Sequence, residues 1–247
     1  MALALAGVLA LGLWFAARPV AAQTVLPQLT LDFQEPSTPA EWSTGLRILL
    51  LLTVLSLAPA ILVLMTAFTR IVVVLAFVRH ALSTQQMPPN QVLIALALFL
   101  TFFVMAPVWQ QVYDQAWVPF QAGEIDQQTA LQRAAAPIRE FMLRHTRERD
   151  LALFLDYAGI EQPQGPEAVP TYLLIPAFTI SELKTAFQIG FVIFIPFVVI
   201  DMIVAGALMS MGMLMVPPMM VSLPFKVLLF VLADGWHLVV ESLLAGF

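Results

Sequence analysis

Residues 186–208 read AFQIGFVIFIPFVVIDMIVAGAL, twenty-three positions with one ionisable side chain, Asp201. At 1.5 Å per residue such a run, if helical, covers about 35 Å, enough to cross the ~30 Å hydrocarbon core of a bilayer. A β-strand is usually much shorter, and open strands in lipid leave backbone groups unsatisfied, so this stretch decides for an all-α chain of the integral-membrane kind. Three more apolar runs surround it. One covers Ile48 to Val78 and is longer than a single span, with Pro59 and Arg70 as its expected dividers. Another covers Val92 to Trp109, and the last Val227 to Phe247. Hydropathy therefore predicts four spans in two closely connected pairs.

Composition agrees. Of 247 residues 60% are hydrophobic and 11% charged, against ~25% charged in an ordinary soluble domain, which excludes a water-soluble single-core enzyme and a disordered chain. A net charge of −5 with 11 Lys and Arg argues against nucleic-acid binding, which needs clustered cations. There is no Cys, hence no disulfide, thiolate metal site or cysteine nucleophile. No Ser-bearing Gly elbow, H-E-x-x-H pair or phosphate-binding Gly loop occurs, so neither catalysis nor a cofactor is expected.

At the start, Ala2 to Ala17 carry no charge and Val20-Ala21-Ala22 follows with small residues. This reads as a signal peptide, residues 1–22, cleaved after Ala22; a short first membrane helix is the alternative, and about sixteen residues is brief for one. Residues 23–45 read as a polar exported leader and 46–109 as a first helical hairpin region. Residues 110–185 read as a periplasmic helical segment and 186–247 as a second hairpin. The connection 66–91 holds Arg70, Arg79 and His80 and no acid, whereas 110–185 holds ten acids. The basic connection is expected in the cytoplasm and the acidic segment outside. Within the latter, Ile125, Leu131, Ala135, Ile138 and Met142 recur at helical spacing, predicting an outer helical layer, and 162–170 reads as a linker.

Residues out of place in hydrocarbon carry the functional signal. Arg70, Asp201, Lys226 and Asp234 lie in or at the edges of apolar runs, where an ionised group costs ~2.5–3.5 kcal/mol or more. They form either an ion path or, the favoured reading, ion pairs that fix helix register. Prolines 59, 107, 176, 196, 217, 218 and 224 are expected to kink or end helices, a pattern suited to an assembly rather than to a chain alone in lipid. Residues 209–220, MSMGMLMVPPMM, hold six of the 12 methionines. They are either filler in a helix hairpin or a deformable plug of polarizable thioethers that parts for a passing chain. Asp234, His237 and Glu241 are spaced i, i+3 and i+7, on one helix face; a structural polar stripe is favoured there over a metal or proton site.

Several blocks together resemble the flagellar biosynthetic protein FliP family: MTAFTRI from Met65, RHAL from Arg79, PPNQV from Pro88, LFLTFFVMAP from Leu98 and PAFTISELKTAFQIGF from Pro176. Further matches are IPFVVID from Ile195, MVPP from Met215, SLPFK from Ser222 and DGW from Asp234. The resemblance covers residue 45 or so to the end. It implies bent helical hairpins assembled into a helical, oligomeric export gate of the type III apparatus at the flagellar base, in the bacterial inner membrane with a periplasm-facing part. About five copies would join FliQ and FliR, with FlhB and FlhA as further partners, and unfolded flagellar subunits would pass through. By position, Met211, Met213, Leu214 and Met215 would form a methionine gasket, with Leu214 where the family often has a third consecutive Met. Glu182 and Lys226 would form an inter-subunit ion pair. The homologous subunit of a virulence injectisome is the alternative. A proton-coupled transporter using Asp201, Asp234, His237 and Glu241 is a remote one.

Overall fold

A computed structural model describes residues 39–84, 87–160, 165–213 and 215–247. The expected signal peptide (1–22), most of the expected leader, and Leu214 lie outside the described residues. By contacts the chain divides into residues 1–50 and 51–247, and everything below concerns the second unit apart from the start of the first helix. All regular structure among the described residues is helical.

Helix α1 runs Pro39–Leu64 and so begins inside the stretch expected to be leader. It passes through Pro59 unbroken. The chain breaks instead at Met65-Thr66-Ala67, where the Thr66 hydroxyl donates to the Val63 carbonyl at 2.9 Å and accepts from the Phe68 amide at 3.4 Å. A side-chain hydroxyl that bonds the local backbone competes with the helix ladder and marks its end. Helix α2 follows, Phe68–Ala81, with Arg70 inside it rather than at a divide.

Ala67 at the cap of α2 and Ile71, Val74, Leu75, Val78 and Ala81 within it are fully buried, a stripe at helical spacing. That stripe makes α2 the centre of the unit, packed against α6 (Thr171–Ser210) and α3 (Asn90–Gln121). The α2–α6 crossing is close: a Cβ on Gly190 would stand 2.6 Å from Phe77 Cγ, so only glycine lets the helices approach this far.

Helix α3 begins at Asn90 and continues to Gln121 through one π turn, Tyr113–Trp117. Helices α4 (Gln127–His145) and α5 (Glu148–Tyr157) pack on α3 and α6. Met142 of the expected α4 stripe is buried, but Leu131 is exposed. Ser181 fastens α5 to α6: its hydroxyl donates to Asp150 Oδ2 at 2.7 Å and accepts the Arg147 amide at 3.1 Å.

Among the described residues two helices are long and apolar enough to cross a membrane, α3 with its continuation and α6. A third span arises only if α7 (Pro218–Leu232) and α8 (Gly235–Leu244), bent by 63°, count together. The described residues thus give two spans, or three with the bent pair, against the four expected, with α1 carrying the apolar helix Gly45–Leu57 besides. The 40 residues of α6 cover ~60 Å, about twice the hydrocarbon thickness. Nor do the prolines break most helices: Pro107, Pro176, Pro196 and Pro224 all lie inside them. A proline deletes one ladder bond but leaves the others, and in an apolar segment no water competes for them, so continuing costs less than unwinding.

Candidate functional site

Helix α6 stops where its sequence says it must. Gly212 takes φ +75°, its amide donates to the Met209 carbonyl at 3.0 Å, and the Met213 amide reaches back to the Leu208 carbonyl at 3.0 Å. This is the Schellman arrangement, which satisfies the last carbonyls of a helix and needs a residue without a Cβ penalty at the left-handed position. Pro217 and Pro218 then start α7, proline being suited to a first turn whose amides have no partner. The result is a tight turn between two apolar arms. Met209, Met211, Met213, Met215, Met219 and Met220 are all exposed on or beside it, Met215 almost completely at 96%. The turn thus leaves a concentrated patch of flexible thioethers uncovered by the rest of the chain.

Below the turn the arms are joined through charge. Lys226 of α7 is 1% exposed, and its Nζ donates to Asp201 Oδ2 of α6 at 2.5 Å and to Ser83 Oγ at 2.7 Å. Ser222 donates to the other Asp201 oxygen at 2.5 Å. Two helices are thereby held in one register, and the ammonium is matched by a carboxylate rather than left bare in an apolar setting.

A second buried pair ties α2 to α6. Arg70, 3% exposed, donates from Nε to Glu182 Oε2 at 2.9 Å and from Nη2 to Oε1, a two-pronged fit suited to a planar guanidinium. Glu182 is fully buried. The remaining Nη1 donates to the Gly246 carbonyl at 2.6 Å, and the guanidinium lies 3.8 Å from the centre of the Phe247 ring. Phe247 also meets Phe141 and His145 of α4. Arg70 therefore gathers α2, α6 and the tail beyond α8 at one point.

Of the residues singled out in sequence, Asp201 and Lys226 come together across two helices. Glu182 and Lys226 each find a partner within the same chain, Arg70 and Asp201 respectively. Leu214 lies outside the described residues. Asp234 is not buried: it sits exposed at the α7–α8 bend with φ +49°, a left-handed turn position that Asp tolerates better than most residues. That bend takes it off the helical face shared by His237 and Glu241, which are both exposed and 4.0 Å apart. No group of three or more His, Asp or Glu suited to a metal occurs among the described residues. Ser83, Ser222 and the Gly246-Phe247 tail carried no signal in sequence, because each matters only through a partner on a distant helix.

Residues 51–243 match the family described as "FliP family". Flagellar biosynthetic protein FliP of Bacillus subtilis (strain 168) is 59% identical over 211 residues, 85% of this chain and 96% of the relative. The protein of that name from Pectobacterium carotovorum subsp. carotovorum is 55% identical over 239 residues, 97% of this chain and 92% of its own. That of Treponema pallidum (strain Nichols) is 47% identical over 224 residues, 90% and 83% of the two chains.

Proposed function

The chain belongs to the FliP family, and from that premise we propose that it walls and closes the passage through which unfolded flagellar proteins leave the cytoplasm. It is a membrane subunit of the flagellar export apparatus, a structural component and not an enzyme. Its relatives carry a flagellar name, which favours this reading over an injectisome subunit. About five copies assemble with FliQ and FliR, in contact with FlhB and FlhA, in the inner membrane at the flagellar base. The acidic segment 110–185 faces the periplasm and the basic connection 66–91 the cytoplasm.

One observation carries the closing role: a Gly-and-Pro-defined turn that exposes methionines between apolar arms whose register the ion pair of buried Lys226 with half-buried Asp201 holds. Turns from several copies meet on an axis, and their thioethers, each on three rotatable bonds, seal against water and ions and then yield around an extended chain. The seal is steric and supplies no energy, so the driving force comes from partners. Glu182 and Lys226 support the contacts between copies indirectly, by holding the helices that carry the turn in register. Replacing Met211, Met213 and Met215 together by Ser is expected to make assembled gates conduct ions in planar-bilayer recordings. Conductance no higher than that of the parent complex counts against the seal.

A further inference from the structure

We infer that the turn joining α2 to α3 controls the methionine turn, and that the hydrogen-bonded chain Ser83–Lys226–Asp201 is the link between them. The inference rests on the gate reading above and adds where the gate is actuated.

Asp201 stands nine residues before the end of α6 and Lys226 eight residues into α7, about 13 Å and about 12 Å below the turn along the two arms. The pair therefore grips both arms at the same level. Its third member comes from elsewhere in the fold, 143 residues from Lys226. Ser83 has φ +56°. Glycine or asparagine would occupy that left-handed position with less strain, and neither presents a hydroxyl. The hydroxyl is what Lys226 uses. A strained backbone position that supplies a second acceptor to a buried ammonium points to a selected contact.

The described residues on the two sides of the turn that carries Ser83 are tied to one another. The Ser83 amide donates to the His80 carbonyl at 3.0 Å. Thr84 Oγ1 reaches the Arg79 carbonyl at 3.2 Å and the Met87 carbonyl at 2.6 Å, and Arg79 bonds Asn90 Oδ1 at the start of α3. His80, Met87 and Asn90 are exposed and offer a partner something to hold. A displacement applied there is delivered through Ser83 Oγ to Nζ. Lys226 is buried and joined to Asp201, so α6 and α7 follow together and the methionine turn shifts.

The test uses the assembled complex with Met215→Cys as a reporter, labelled by a membrane-impermeant maleimide, and flagellar protein in the culture medium as the readout of export. Ser83→Gly removes the hydroxyl and the strain at once. The variant should accumulate in the membrane at the parental level while labelling at position 215 changes about twofold or more and export falls. Ser83→Asn, which accepts the left-handed backbone and offers Oδ1 to Nζ, should restore both readouts; Ser83→Asp is the second acceptor-bearing variant. A merely structural Ser83 predicts instead that glycine is neutral or stabilising. Ser83→Gly behaving as the parent in labelling and export, or accumulation-competent Asn and Asp variants that restore neither, overturns the link. Absence of a leak in the triple Met→Ser variant would defeat the gate reading alone, since the labelling comparison still reports whether Ser83 moves the turn.

Discussion

Removing the Glu182 carboxylate is the sharpest perturbation of the fold. In Glu182→Ala the guanidinium of Arg70 keeps the Gly246 carbonyl and the face of Phe247 but loses the acceptors of Nε and Nη2 while remaining 3% exposed. Arginine cannot shed its proton to escape. Truncating one partner of a buried pair costs about 3–5 kcal/mol, which at ~2–4 °C per kcal/mol for a chain of this size lowers Tm by about 6–20 °C. Thermal unfolding of the detergent-solubilised complex measures this. The double replacement Arg70→Met, Glu182→Met fills similar volume without charge and should recover most of the loss, because the larger part of the penalty is the stranded charge and not the missing attraction. A double-mutant cycle isolates the pair. A Glu182→Ala drop below about 2 °C, or single effects that merely add in the double variant, would refute the assignment of Arg70 and Glu182 as a mutually dependent buried pair.

Two further outcomes follow from packing and from capping. Gly190→Ala places a methyl 2.6 Å from Phe77 Cγ and should cost about 1–3 kcal/mol in the same unfolding assay, with Phe77→Leu in the same chain recovering part of it. The hydrogen bond from Thr129 to the side chain of Asp126 holds that carboxyl below its usual range. The sign follows directly: the cap is at full strength above the unfolded carboxylate value of about 3.9 and is lost as pH falls through the lower folded one. Amide exchange in the first turn of α4 should therefore stay slow at about pH 5, and Asp126→Ala should speed it there.

How much was legible before the structure depended on whether the deciding partner is near in sequence. The end of α6 was readable because Gly212 and Pro217-Pro218 act through their own backbones. Apolar runs located α3 and α6, but α6 starts at Thr171, fifteen residues before the run at Ala186. Hydropathy charges Ser181, Glu182 and Lys184 as water-facing, whereas Ser181 and Glu182 are fully buried on Asp150 and Arg70. Those partners lie 31 and 112 residues away, and no local window contains them. Proline misled in the opposite direction: its local penalty is real, but the intact ladder around Pro176 and Pro196 outweighs it, while the unremarkable Thr66 ends α1. Asp234 looked buried because its neighbours are apolar; the left-handed bend that exposes it is a property of the backbone.

The two buried pairs divide the work of the fold in a way that composition alone could not suggest. Arg70–Glu182 joins the centre of the unit, α2 and α6, and through Gly246 and Phe247 also gathers the tail. Lys226–Asp201 joins the arms on either side of the methionine turn. Both use α6, nineteen residues apart, or ~28 Å along its axis. Position 182 of this 40-residue helix is fixed on α2, and the arm beyond it ends at a tight turn, so whatever holds position 201 sets where that end lies. Apolar contacts alone would hold that end poorly, since lipid-like surroundings compete for the same surface, whereas a salt link to a buried ammonium has a defined geometry. Charge is thus placed where position matters, and sulfur where yielding matters.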